Sequence, residues 1–167
     1  MLHSIRSLRI LEGTLLNYWL QQSSVSSIKS ILPIVESYEG CDWKQYAHKF
    51  TTPTETTSPT NTYYKQKVSF TSINPYYEMY VITWPPYSQS KIHNHAPQGC
   101  VQLLLDSPLL QHVYNSSFEL LGIESLTPFE ASYIDDSVGY HSIHNPTNEF
   151  VHSLHIYSPP NFQTTYF

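Results

Sequence analysis

Apolar positions recur along this chain at two different periods, and the change of period divides it. In the first fifty residues Leu8, Leu11, Leu15, Leu16 and Trp19 fall three and four apart, the stripe of an amphipathic helix. Ser23 or Ser24 is placed to cap a second helix carrying Val25, Ile28, Ile31, Leu32, Val35 and Tyr38, with Gly40 as its stop. Pro33 lies inside that pattern and predicts a kink or a shortened helix. Asp42 is placed to cap a short third helix, Trp43 to Phe50. Residues 51–62, all Thr, Pro, Ser, Glu and Asn, offer no apolar anchor and read as a surface insertion. From Tyr63 the pattern becomes short runs rich in β-branched and aromatic residues. They are Tyr63–Phe70, Tyr77–Trp84, Ser90–His95, Gly99–Leu105, Leu109–Asn115, Phe118–Ser125, Ala131–Ile134, Gly139–His144 and Val151–Tyr157. Asn74-Pro75, Pro85-Pro86, Asp106-Ser107-Pro108 and Asn145-Pro146 punctuate them. Many short strands without an internal repeat predict a sandwich or barrel. The helices of residues 1–50 are too few for a core of their own. The expectation is therefore one mainly β domain over residues 1–167, with those helices packed on a barrel spanning 63–160.

Composition narrows the functional classes. Apolar residues make up 40% of the chain and charged residues 13%, which opposes charge-driven disorder. A net charge of −5 opposes a general nucleic-acid binder, which needs a basic face. No stretch approaches the ~20 apolar residues of a membrane span. The Met1–Arg6 segment lacks the apolar core of a signal peptide. Two cysteines, Cys41 and Cys100, imply no disulfide framework. Together these lead to an expected cytoplasmic location.

Histidines carry the candidate chemistry. His93 and His95 flank Asn94 in a strand-like run, so both side chains point to one face. His141 follows 46 residues after His95, in a second strand-like run. Three neutral imidazoles suit iron, zinc, copper or nickel and leave open positions for a ligand. Cys41, His48, His112, His144 and His152 read as structural or surface residues. His144, three positions past His141, belongs to the opposite strand face.

The His-x-His pair followed by His141-x-x-x-Asn145 resembles the two motifs of the cupin superfamily of jelly-roll barrels. A typical cupin carries a glutamate four or five positions after the second histidine. Here that window reads Gly99-Cys100. The run His93-Asn94-His95-Ala96-Pro97-Gln98-Gly99-Cys100 looks like the metal motif of the cysteine dioxygenase family. Ser153-Leu154-His155-Ile156-Tyr157-Ser158-Pro159-Pro160 looks like that family's most characteristic segment. Trp84 falls where the family has a tryptophan before the His-x-His run. The stretch from Val35 through Phe50 resembles the helix ahead of its barrel. The likeness runs from about residue 8 to residue 162.

The resemblance implies iron(II) held by His93, His95 and His141, and a Cys100–Tyr157 pair joined by a thioether. It implies a hydrogen-bonded relay from Ser153 and His155 to the Tyr157 hydroxyl. The reaction it implies is L-cysteine plus dioxygen to cysteine sulfinate, by a monomer; the charge and the absence of an apolar span add the expectation of no nucleic-acid or membrane partner. One departure concerns the arginine with which the family anchors the substrate carboxylate. The matching segment is Tyr63-Tyr64-Lys65-Gln66, so Lys65 stands in for it, beside Tyr63. Lysine pairs as a point charge and lacks the bidentate fork. Two alternatives stay open: turnover of another small thiol such as 3-mercaptopropionate, or a metal-binding cupin that senses thiols without oxidising them.

Overall fold

The computed structural model describes residues 4–49 and 63–167. Helix α1, Leu8–Leu20, starts at Ser7, whose hydroxyl accepts from Arg9 N–H. Its buried residues, Leu8, Leu11, Glu12, Leu15 and Trp19, repeat at three to four and form one stripe. The second helix is shorter than its pattern suggested. Ser27 caps a single 3-10 turn, Ile28–Ile31, which runs into α2, Leu32–Glu36. Pro33 sits in the first turn of α2, where its missing N–H costs nothing, so it starts a helix instead of kinking one. The expected third helix is only a 3-10 turn, Asp42–Gln45. The Asp42 carboxylate turns away from that turn and accepts from Leu8 N–H and the Tyr38 hydroxyl. It thereby serves the N-terminus of α1. The 51–62 insertion and Phe50 lie outside the described residues.

Eight strands follow: β1 Tyr64–Val68, β2 Glu78–Trp84, β3 Cys100–Leu104, β4 Leu109–Tyr114, β5 Leu120–Leu126, β6 Ala131–Ile134, β7 Tyr140–His144 and β8 Val151–Tyr157. They form two antiparallel sheets, ordered β1-β2-β8-β3-β6 and β5-β4-β7. The fold is mainly β with a small N-terminal helical region, as the sequence pattern led us to expect.

Alternation in the larger sheet places the site. Met79, Val81, Val101, Leu103, Leu154 and Ile156 share one face and pack in a single cluster with Leu8, Leu11, Leu15, Ile28, Ile31 and Val35. Each such buried aliphatic side chain contributes roughly 1.5–3 kcal/mol. The opposite face meets the second sheet through Ile82, Trp84, Leu104, Leu109, Leu126, Ile143 and Val151. With both faces covered, all five residues of β3 are buried. On the inward face, Cys100 lies opposite Tyr157, Gln102 opposite His155 and Leu104 opposite Ser153. Among the described residues, no helix is long and apolar enough to cross a membrane.

The run Ser90–His95 is not a ninth strand. It lies antiparallel to β7, touching it through isolated bridges, Gln89 with His144 and His93 with His141. The ladder between these bridges is broken by Ser90, whose hydroxyl takes the Ile143 N–H that a backbone carbonyl would otherwise receive. His93 and His141 exchange backbone hydrogen bonds of 3.0 and 3.3 Å across the bridge.

Candidate metal centre

His93 and His95 come from the bridged segment, and His141 from β7. Their ligating nitrogens lie within 4.8 Å of one another. Each Nδ1 has its own acceptor: the Lys91 carbonyl for His93 at 2.8 Å, Asp136 for His95 at 3.0 Å and Gln111 Oε1 for His141 at 2.9 Å. A neutral imidazole that donates through Nδ1 has only a lone pair on Nε2. Burial lowers the pKa of all three rings, to about 4 for His93 and His95 and well below 6.5 for His141. The rings are therefore neutral, with their lone pairs facing inward.

That arrangement is unfavourable without a cation. The Nε2 atoms of His93 and His141 are 3.0 Å apart with no proton to share on this tautomer assignment. Nε2 of His95 is buried with no hydrogen-bond partner. Two nitrogens each ~2.1 Å from one ion and at right angles would stand ~3.0 Å apart. A divalent metal at the centre of the three rings would satisfy all three lone pairs, so the residues fit one.

The acceptors behind the imidazoles lead outward to the exposed carboxylates of Glu124 and Asp136. Gln111 accepts from Gln102 Nε2 at 2.8 Å and donates to Glu124 at 3.0 Å, which ties β4 to β3 and β5. Asp136 also accepts from His95 N–H at 2.7 Å and so fixes both backbone and ring. Sequence reasoning missed Gln102, Gln111 and Asp136. Gln102 did leave a signal, since an amide within the apolar run Cys100–Leu104 must find a partner when buried.

Ser153, His155 and Tyr157 line one face of β8. The Trp84 indole N–H donates to Ser153 Oγ at 2.8 Å. The Ser153 hydroxyl then donates to His155 Nε2 at 2.9 Å, which leaves the ring proton on Nδ1. That Nδ1 lies 3.2 Å from the Tyr157 hydroxyl and 3.8 Å from Cys100 Sγ. With His155 donating to its oxygen, Tyr157 keeps its own hydrogen free. Burial pushes the Cys100 thiol up to about 12 and the Tyr157 phenol well above 10, so both stay protonated. The structure thus brings the expected pair and relay together, and makes Trp84 both a core residue and the first donor of the relay.

Lys65 lies opposite Ile82 and so shares its inward face; Gln66, opposite Val81, faces away. Lys65 Nζ is 5.0 Å from the Tyr157 ring centre, 5.7 Å from that of Tyr63 and 5.8 Å from that of Tyr80. Lys67, on the same face, is held by Glu78 at 2.6 Å. Among the described residues no ion pair engages Lys65. A cleft lined by Lys65, Glu78, Tyr80, Tyr157, Phe162 and Thr164 opens beside it. Tyr63 packs on Trp84 with ring centres 4.7 Å apart, and its hydroxyl is 3.1 Å from that of Tyr166. His112 and His144 face each other outside this cluster, with ring centres 6.2 Å apart.

Comparison with known proteins bears on the same residues. The family model described as cysteine dioxygenase type I matches residues 10–167. This chain belongs to that family. It is 26% identical to cysteine dioxygenase type 1 of Danio rerio over 149 residues, covering 83% of the chain and 69% of the relative. Against the Rattus norvegicus protein it is 26% identical over 143 residues, covering 80% and 66%. The chain thus spans about two thirds of the length of these cysteine dioxygenases. Solved structures confirm the cupin fold. An oxalate oxidase aligns with a TM-score of 0.55 at 14% identity, covering 73% of this chain and 60% of its own. A double-stranded β-helix protein of Klebsiella pneumoniae aligns with a TM-score of 0.55 at 13% identity, covering 74% and 91%. Family membership and the three-histidine cluster together fit a metal-dependent cupin thiol dioxygenase.

Proposed function

We propose that this cysteine dioxygenase family member is an iron(II)-dependent dioxygenase of L-cysteine. The reaction adds both atoms of dioxygen to the thiol sulfur, a four-electron oxidation that yields cysteine sulfinate. The observation that carries the reading is the set of three inward Nε2 lone pairs, one lacking any partner, beside the paired Cys100 and Tyr157. His93, His95 and His141 would hold the metal. Bound iron(II) supplies an acidic centre at which a thiolate and dioxygen meet, and it lowers the thiol pKa. Three neutral ligands leave the metal's charge uncompensated, and Lys65 adds another positive charge nearby. The site therefore favours a ligand bearing both a thiolate and a carboxylate.

The protein groups divide the remaining work. Lys65 pairs with the carboxylate as a point charge. Ser153 and His155 would hold the Tyr157 hydroxyl in place and leave its hydrogen free to donate to the bound reactants. Cys100 and Tyr157 become a thioether when Sγ bonds to the ring carbon beside the hydroxyl. The thiol and ring hydrogens leave with two electrons, which pass to dioxygen and give hydrogen peroxide. The link holds the Tyr157 ring in place. On this reading the enzyme works as a cytoplasmic monomer, a location consistent with its two cysteines.

Lysine in place of arginine favours one second reading, a different small thiol acid. Mass spectrometry of products from the iron-loaded protein, given oxygen with L-cysteine or 3-mercaptopropionate, separates the two. Cysteine gaining two oxygens supports the proposal, and oxidation of 3-mercaptopropionate alone moves the assignment to that substrate. Oxidation of neither, with iron bound, leaves a thiol-sensing cupin.

A further inference from the structure

We propose that Tyr166 is a specificity-determining residue, whose phenol joins that of Tyr63 in binding the substrate carboxylate beside Lys65. The inference rests on the thiol dioxygenase reading above and deepens it. The segment after β8 folds back over the metal-ligand segment and is fastened there. Phe167 N–H donates to the Ile92 carbonyl at 2.9 Å, Asn94 N–H to the Thr165 carbonyl at 3.2 Å, and Thr165 N–H to Asn94 Oδ1 at 2.7 Å. His93 and Tyr166 form a β-bridge, with ring centres 5.8 Å apart. Phe167 anchors the far side between Phe118 and Tyr140, at 4.8 and 5.0 Å. The backbone that places His93 therefore also places Tyr166.

The side chain of Tyr166 is half exposed and lies between His93 and Tyr63. Its hydroxyl is 3.1 Å from that of Tyr63, and the Tyr63 ring lies against Lys65 Nζ. Two adjacent phenols carry two donor hydrogens, and their mutual hydrogen bond uses one. An exposed bond between two neutral hydroxyls contributes little, whereas a hydroxyl donating to a carboxylate is roughly twice as strong. Lys65 supplies charge without the two directional donors of a guanidinium. The phenol pair supplies directional donors on a ring that neighbours Lys65.

The test is anaerobic titration of the cobalt(II)-loaded full chain, followed by its thiolate-to-cobalt absorption. The probes are L-cysteine and 2-aminoethanethiol, which lacks the carboxylate. Tyr166→Phe keeps the ring and removes only the hydroxyl. The expected result is roughly tenfold weaker L-cysteine binding, one charged hydrogen bond, with 2-aminoethanethiol changed less than about twofold. Unchanged L-cysteine binding, or equal losses for both thiols, overturns the inference while the thiol reading stands. Loss of cobalt binding by the variant assigns Tyr166 to support of His93 and also overturns it. No thiolate band from the unmodified protein removes the thiol reading itself, and this inference with it.

Discussion

Each ligand imidazole is aimed by a different acceptor, a backbone carbonyl for His93, a carboxylate for His95 and an amide for His141. The three histidines were legible in the sequence as a His-x-His pair with a later third imidazole, and a bridged segment brings them together although it is not a strand. Their acceptors were not, since Asp136 is 41 residues from His95 and Gln111 is 30 from His141. Only folding brings such pairs together. Asp136→Asn and Gln111→Leu should each weaken metal binding by about 10- to 100-fold without removing it. Competition against a chromophoric chelator measures this, and wild-type affinity in both variants would contradict the role given to these acceptors. Cys100→Ala should abolish the faster-migrating band that a crosslinked chain shows on a denaturing gel after aging with iron, oxygen and cysteine. A persistent second band in that variant would rule out the Cys100–Tyr157 link as its source.

Among the elements, the strands were read more accurately than the helices. A period of two survives any tertiary context that keeps one face inward, and β2, β3 and β8 kept theirs. The third helix failed because Asp42 had a better use, capping α1 and binding Tyr38, than starting a helix of its own. The Ser90–His95 strand failed because a serine hydroxyl replaced a carbonyl in its ladder. Burial, then the Asp42 contact, raises the Tyr38 phenol well above its usual 10.0. The folded value exceeds the unfolded one, so this group's contribution to stability is intact below pH 10 and is lost as pH rises beyond it. Tyr38→Phe should lower stability at neutral pH by about 1 kcal/mol and flatten the alkaline loss, read from urea midpoints. The turn into β3 carries a tighter constraint. Gly99 has φ +96°, and a Cβ there would lie 2.4 Å from the Tyr133 ring. Gly99→Ala should cost about 1–3 kcal/mol and displace Cys100, seen as a lower melting temperature and a fainter crosslinked band.

Across the whole molecule, a helix-backed five-stranded sheet packs on a three-stranded one, and three neutral imidazoles that could hold a metal come together from the bridged run and from β7. A cation bound there stabilises only the folded chain. The melting temperature should therefore rise with iron(II) concentration, by an amount equivalent to about 2.7 kcal/mol at 100 times Kd. His141→Ala should abolish the rise. The cysteine dioxygenase likeness was legible because its motifs are dense in rare residue types at fixed spacing. The Tyr166 contact was not, because nothing in its sequence neighbourhood points to His93. The most direct test of the central claim is turnover of L-cysteine by the iron(II)-loaded protein under oxygen-18 gas, with mass analysis of the product. The account predicts cysteine sulfinate carrying two labelled oxygens. Cystine, unlabelled sulfinate or unchanged cysteine from a protein with full iron occupancy would contradict it.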